Sequence, residues 1–200
     1  MKTGLIAAFV LTMALRLPAQ NLLVNGSFET GDTTGWNATG AIGVGFGEGS
    51  TDGIYAAGFN GGDQPPSGVL SQSFTTVAGE NYSLSFDYGL FIVFPPGLPQ
   101  TLDIAVDGTS ALLNTTATTS TGGAFPTPFD HFTFGFTADS TSTLLQFTDD
   151  AGNYTISEDG ILDNVVVTNV PDSGSSLALM AGALIGLGGF SHKLRRRLVA

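Results

Sequence analysis

Tyr82, Leu84, Phe86 and Tyr88 alternate with Ser83, Ser85 and Asp87, the period of two of a strand with one buried face and one wet face. On that reading Asp87 faces solvent. The alternation returns at Leu102, Ile104 and Val106 against Asp103 and Asp107. It returns again at Phe132, Phe134 and Phe136 against His131, Thr133 and Thr137. Leu144–Thr148 and Ile161–Thr168 complete the set, and no stretch between Asn21 and Asn169 carries a helical period. Val69–Val77, the turn Ala78-Gly79-Glu80 and Asn81–Val93 read as a hairpin, and Asp107-Gly108 reads as a second turn. The Thr-rich segment Asn114–Gly123 reads as a loop. Many short strands with Gly-rich turns predict an all-β chain, a single jelly-roll β-sandwich over residues 20–169.

What holds such a sandwich is narrowed by composition. There is no cysteine, so neither a disulfide framework nor a thiol nucleophile is available, and fifteen Phe supply the apolar bulk. All six Lys and Arg lie at the ends, at Lys2, Arg16, Lys193, Arg195, Arg196 and Arg197, while all seventeen acids lie between Glu29 and Asp172. A body with no cationic side chain except His131 excludes nucleic acid, whose phosphates need Lys and Arg. Attraction to anionic lipid is excluded on the same ground. Divalent cations and neutral polymers are left as partners, and the acidity also serves solubility.

The two ends read as an address. Lys2, the apolar run Gly4–Leu15 and Leu17-Pro18-Ala19-Gln20 have the order of a secretory signal helix, residues 1–19, with Ala19 the last residue removed. At the other end Val170-Pro171-Asp172-Ser173-Gly174 precedes an apolar helix at about 175–191 and a basic tail at 193–197. Counted from Gly174 to Phe190, that run reaches the lower limit of about 17 residues for crossing a ~30 Å hydrocarbon core. Its Arg cluster would stay cytoplasmic, with the acidic body outside. Motif, helix and Arg cluster together resemble the PEP-CTERM class of bacterial sorting signals, in its VPDSG variant. The resemblance covers residues 170–197 of the expected tail 170–200. It implies recognition by an exosortase, a membrane transpeptidase, with Val170, Pro171, Asp172, Ser173 and Gly174 as the motif it reads. The implied location is the cell envelope, surface or extracellular matrix, after transient anchoring in the cytoplasmic membrane.

The opening Asn21-Leu22-Leu23-Val24-Asn25-Gly26-Ser27-Phe28-Glu29, with Gly35-Trp36, resembles the start of galactose-binding-like jelly rolls, a group that includes carbohydrate-binding modules. Gly160-Ile161-Leu162-Asp163-Asn164-Val165-Val166-Val167 resembles their last strand. The resemblance implies the fold more firmly than the ligand. It also implies one structural calcium, held by Glu29 just after the first strand and by Asp163 in the last. Asp52 is a third ligand candidate from an early loop. Asp163 shares a phase with Ile161, Val165 and Val167, which points it inward, where a carboxylate needs a partner. A hard cation would serve, and so would backbone hydrogen bonds.

Trp36 reads as core packing in preference to sugar stacking. Phe91–Pro99 reads either as an exposed apolar rim or as a loop folded over the core end. No Gly-x-Ser-x-Gly elbow is present, and a Ser-His-Asp triad would have to use His131. Asp149, Asp150, Glu158 and Asp159 are the acids that a glycosidase reading would draw on. The expected function is a non-catalytic envelope or matrix protein binding extracellular polysaccharide. The rivals are a polysaccharide hydrolase with paired carboxylates and a purely structural matrix component.

Overall fold

The computed structural model describes residues 20–45, 49–93, 97–123 and 127–171. These residues are all-β, with no helix among them. In chain order the strands are β1 (Asn37–Thr39), β2 (Ile42–Gly45), β3 (Ala56–Phe59), β4 (Val69–Thr75), β5 (Asn81–Ile92) and β6 (Gln100–Asp107). They continue as β7 (Ala111–Thr119), β8 (Gly122–Gly123), β9 (Phe129–Thr137), β10 (Ser142–Asp149) and β11 (Glu158–Val170). The first sheet runs β1-β4-β10-β6-β7; the second runs β2-β3-β11-β5-β8, with β9 also paired to β5.

The alternating runs supply the core. Leu70, Phe74, Leu102, Ile104, Val106, Leu145 and Phe147 reach in from the first sheet. Ala57, Phe59, Leu84, Phe86, Tyr88, Leu162, Val165 and Val167 meet them from the second. Phe86 shows how the layers lock: its ring meets Phe147 edge-on at 5.1 Å and stacks on Phe132 at 5.4 Å. Each such side chain contributes roughly 1.5–3 kcal/mol through burial.

Three local expectations change. The expected hairpin of Val69–Val77 and Asn81–Val93 does not form: β4 pairs with β1 and β10, β5 pairs with β9 and β11, and the turn between them crosses from sheet to sheet. Alternation identifies a strand but not its partner. The Thr-rich segment is not a loop over its length, because Ala111–Thr119 pairs with β6 along the sheet edge. Threonine suits a pleated surface, and that preference prevails over low complexity. Finally, residues 21–28 form no strand; they run beside β11 through Leu22 N–H to Val167 O and Val165 N–H to Gly26 O.

The expected signal and anchor helices lie outside the described residues, as do Asp172, Ser173 and Gly174 of the sorting motif. Val170 ends β11 and Pro171 follows it. Among the described residues no helix is long and apolar enough to cross a membrane.

Candidate functional site

One extra residue in β11 decides where Asp163 points. Asp163 lies opposite Asp87, but Val166, not Val165, lies opposite Ser85. Three steps on β11 therefore match two on β5, a bulge with Asn164 at φ 51°. Beyond the bulge Val165 and Val167 face the core, while Asp163 lies on the outward face beside Asp87. The expected inward direction of Asp163 is thus corrected, because the bulge breaks the phase that linked it to the valines. It is buried nonetheless, with no exposed surface, under the loop that precedes β3.

That loop is clipped to the sheet by carboxylates. Asp163 Oδ2 accepts from Thr51 N–H at 2.6 Å, Asp52 N–H at 2.9 Å and the Thr51 hydroxyl at 3.2 Å. Its Oδ1 accepts from Asn164 N–H at 2.7 Å. Burial pushes the Asp163 carboxyl above its ordinary range, and the amides of Asp52, Thr51 and Asn164 pull it back in part. Glu29 Oε1 takes the N–H groups of Ile54 and Tyr55, both at 2.8 Å. Gly53 makes room for it: at φ 74° any Cβ there would sit 2.1 Å from the Glu29 carboxyl carbon.

Glu29 and Asp163 therefore hydrogen-bond to the same loop, and Asp52 contributes its backbone N–H to Asp163. In each carboxylate one oxygen holds the loop. The other is Glu29 Oε2, or Asp163 Oδ1 with its single short-range bond. Two oxygens on one loop fit a hard cation in donor chemistry. Among the described residues no three His, Cys, Asp or Glu side chains group as a metal cluster, so such an ion would draw its other ligands from uncharged oxygens.

Asp87 is not solvent-facing; only 9% of it is exposed, because the same loop covers it. Its Oδ2 accepts from the Thr51 hydroxyl at 2.7 Å and Asn164 Nδ2 at 3.1 Å, and its Oδ1 lies 2.6 Å from His131 Nδ1. Burial is the largest influence and raises its pKa. The hydrogen bonds of Thr51, His131 and Asn164, with the His131 charge, outweigh it and hold Asp87 below the ordinary range. His131 Nε2 lies 3.3 Å from the Thr133 hydroxyl.

The outward face continues past Thr133 into an open groove of about 510 Å3. Asn81, Ser83, Thr133, Gly135, Thr137 and Val170 line it from β5, β9 and β11. Gly135 leaves its floor low, since a Cβ there would meet nothing nearer than Tyr82 O at 3.9 Å. Tyr82, Phe134 and Phe136 also line it, so the surface is uncharged and more apolar than polar; the Thr137 hydroxyl donates to Asn81 Oδ1 at 2.7 Å.

Trp36 packs, as expected: it is buried against Phe28 and Phe147, and its Nε1–H donates to Asn25 O at 3.0 Å. Of the Phe91–Pro99 stretch, Val93 and Leu98 are exposed, and 94–96 lie outside the described residues. Three of the four acids of the glycosidase reading hold local structure: Glu158 accepts Leu98 N–H, Asp150 accepts Gly152 N–H, and Asp149 accepts the Asn153 amide.

No family model and no curated protein sequence matches the chain. Solved structures do. A family 61 carbohydrate-binding module in complex with β-1,4-galactotriose aligns at TM-score 0.56 and 18% identity, over 76% of this chain and 100% of that one. The CBM22-1 xylan-binding domain from Paenibacillus barcinonensis Xyn10C aligns at 0.51 and 20%, over 78% and 97%. The enzymatically active domain of bacteriophage CBA120 tailspike protein 4 aligns at 0.53 and 13%, over 75% of this chain and 21% of that one. The chain thus has the jelly-roll β-sandwich fold of carbohydrate-binding modules.

Proposed function

We propose that the chain is an exported, non-catalytic protein of the envelope or matrix whose sandwich binds a neutral extracellular polysaccharide. The observation that carries this is the uncharged groove on the outward face of β5, β9 and β11, apolar with a few hydroxyls at its sides. Sugar hydroxyls both donate and accept, as do the Ser83 and Thr133 hydroxyls, while the Thr137 hydroxyl, which donates to Asn81 Oδ1, keeps its lone pairs for an incoming donor. The galactotriose complex and the xylan-binding domain of the same fold support the ligand class. Acidity supports a neutral ligand over an anionic one, since no Lys or Arg lies between Arg16 and Lys193.

Export rests on the ends. Residues 1–19 act as the signal peptide, residues 20–169 form the mature domain, and 170–200 form a tail that an exosortase-type enzyme processes. Until then the helix at about 175–191 holds the chain in the cytoplasmic membrane, with the body outside. Calcium is held by Glu29 and Asp163, where it fixes the loop that covers Asp87.

A glycan array probed with the full chain tests the reading. Binding to neutral β-linked polysaccharides with no release of reducing sugar supports it. Turnover lost on replacing Asp149, Asp150, Glu158 or Asp159 would favour the hydrolase, and an array blank for every glycan would favour the structural component.

A further inference from the structure

At one end of the core, between the sheets, the alternation carries polar residues inward. Asp149 continues the inward series of Leu145 and Phe147 on β10, and Gln100 continues that of Leu102 and Ile104 on β6. Tyr88 faces inward from β5, and Asn60 lies in the turn after β3. All four are at least 96% buried, yet Asp149 Oδ2, Asn60 Oδ1, Gln100 Oε1 and the Tyr88 hydroxyl have no hydrogen-bond partner.

These groups belong together. Asn60 Nδ2 donates to Asp149 Oδ1 at 3.4 Å, and Asn153 Nδ2 donates to the same oxygen at 2.6 Å. The Asp149 charge is felt at the Tyr88 phenol, which burial and that charge push well above its ordinary value. Gly160 gives the phenol its place, since a Cβ there would lie 2.3 Å from the hydroxyl. Leu102, the register partner of Asp149, is two residues from Gln100, whose Nε2 is tied to Tyr154 O. Burial raises the Asp149 pKa; the Asn153 and Asn60 amides and the nearby Ser67 and Gly68 N–H groups only moderate this.

Three of the four orphan atoms are pure acceptors. One water and the Tyr88 hydroxyl together offer three hydrogens, enough for those three acceptors, but neither supplies the opposite charge that a buried Asp149 carboxylate needs, and the body has no Lys or Arg to supply it. We propose that this end of the core is a hard-cation site. Asp149 Oδ2, Asn60 Oδ1 and Gln100 Oε1 bind a calcium-type ion, with the Tyr88 hydroxyl beside it. Oxygen-only ligands of mixed charge suit such an ion and not a thiophilic metal. The ion clamps β6 and β10 of one sheet to β5 and the β3 turn of the other. It is separate from the Glu29–Asp163 pair, which lies on the outward face.

Calcium titration of the full chain in detergent, followed by calorimetry, tests this with the Glu29→Gln variant to silence the other pair. One calcium per chain is expected to remain in Glu29→Gln and to vanish in the Glu29→Gln, Asp149→Asn double variant. Should a variant fail to fold by circular dichroism, terbium luminescence excited through tyrosine in the wild-type chain decides. Calcium should quench that emission by competition, and Tyr88→Phe, which keeps the ring and removes the hydroxyl, should remove the share that Tyr55, beside Glu29, does not supply. A Glu29→Gln chain that binds no calcium, retention of calcium with Asp149→Asn, or emission unaffected by Tyr88→Phe would overturn the site.

Discussion

Asp163, in the middle of β11, and Asp149, at the end of β10, are both buried carboxylates, and neither has a cationic side chain to pair with. Burial raises the pKa of both. They differ in their donors. Asp163 takes three backbone N–H groups and a hydroxyl, with both oxygens engaged. Asp149 takes two side-chain amides on one oxygen and leaves the other bare. Burial alone therefore does not set how much a carboxylate lacks. The bare oxygen of Asp149 adds to its deficit, because an acceptor with no donor in a dry core costs about 1–3 kcal/mol until something fills it.

The sharpest way to break this contrast is truncation. Asp163→Ala would strand the Thr51 and Asp52 amides under the loop, at a cost of about 4 kcal/mol. At about 2–4 °C per kcal/mol for a domain of this size, the melting temperature should fall by roughly 10 °C. Asp149→Ala in metal-free buffer should lower it by less than half of that. Equal losses in thermal melting would show that the donor sets do not distinguish the two sites.

Calcium gives the next largest effect. An ion that binds only the folded state at a hundredfold excess over its Kd adds about 2.7 kcal/mol. Chelation should lower the melting temperature of the full chain by several degrees, and Glu29→Gln should remove the part that belongs to the Glu29–Asp163 pair. Superimposable melts with calcium and with chelator would remove the ion from both sites.

Glycine substitution probes the clip itself. Gly53→Ala drives a Cβ into the Glu29 carboxylate at a left-handed φ of 74°, and should cost about 2 kcal/mol. Gly61→Ala, where a Cβ meets nothing within 4 Å, should be neutral within about 0.5 kcal/mol. Similar melts for the two variants would mean that Glu29 does not hold the loop.

The smallest effect is in pH. A raised carboxyl pKa means that the folded state binds its proton more tightly than the unfolded chain does. The stability this gives is present below the ordinary 3.8 and is lost as pH rises through the folded value. The neutral amide of Asp149→Asn leaves no charge to bury. In metal-free buffer the melting temperature of Asp149→Asn relative to wild type should therefore move in favour of the variant between pH 4 and pH 7. A constant difference would contradict the buried, unpaired charge.

Much of this was legible as residue type, less as direction. The runs at Tyr82, Leu102 and Phe132 named strands and their core faces, and Leu144–Thr148 named a strand whose face, Leu145 and Phe147, only the fold shows. Asp163 was legible as a buried carboxylate, but one bulge residue turned it to the other face, and bulges leave no period to read. Asp87 reads as wet because alternation cannot see a loop laid over a sheet. The partner of β4 was hidden for a similar reason, since half-buried strands look alike whichever sheet they join. The Asp149 cluster did leave a signal. Gln100 and Asp149 sit in phase with the apolar residues of their strands, where a polar side chain needs a reason to be. The groove left almost none, because Ser and Thr on an outward face are ordinary and Gly135 shows its use only once Thr133 and Thr137 flank it.

The functional claim rests on the outward groove, and Gly135 is the place to close it. Gly135→Trp adds a large side chain over open space at a position without left-handed φ, so the fold should survive while the groove fills. Affinity gel electrophoresis in β-1,4-galactan and in xylan, with wild type beside Gly135→Trp, measures this directly. The wild-type chain should be retarded in at least one of the two polymers, and the variant should run at least tenfold weaker, about 1.4 kcal/mol, with an unchanged melt. Equal retardation of the two chains, or none of the wild type, would contradict it.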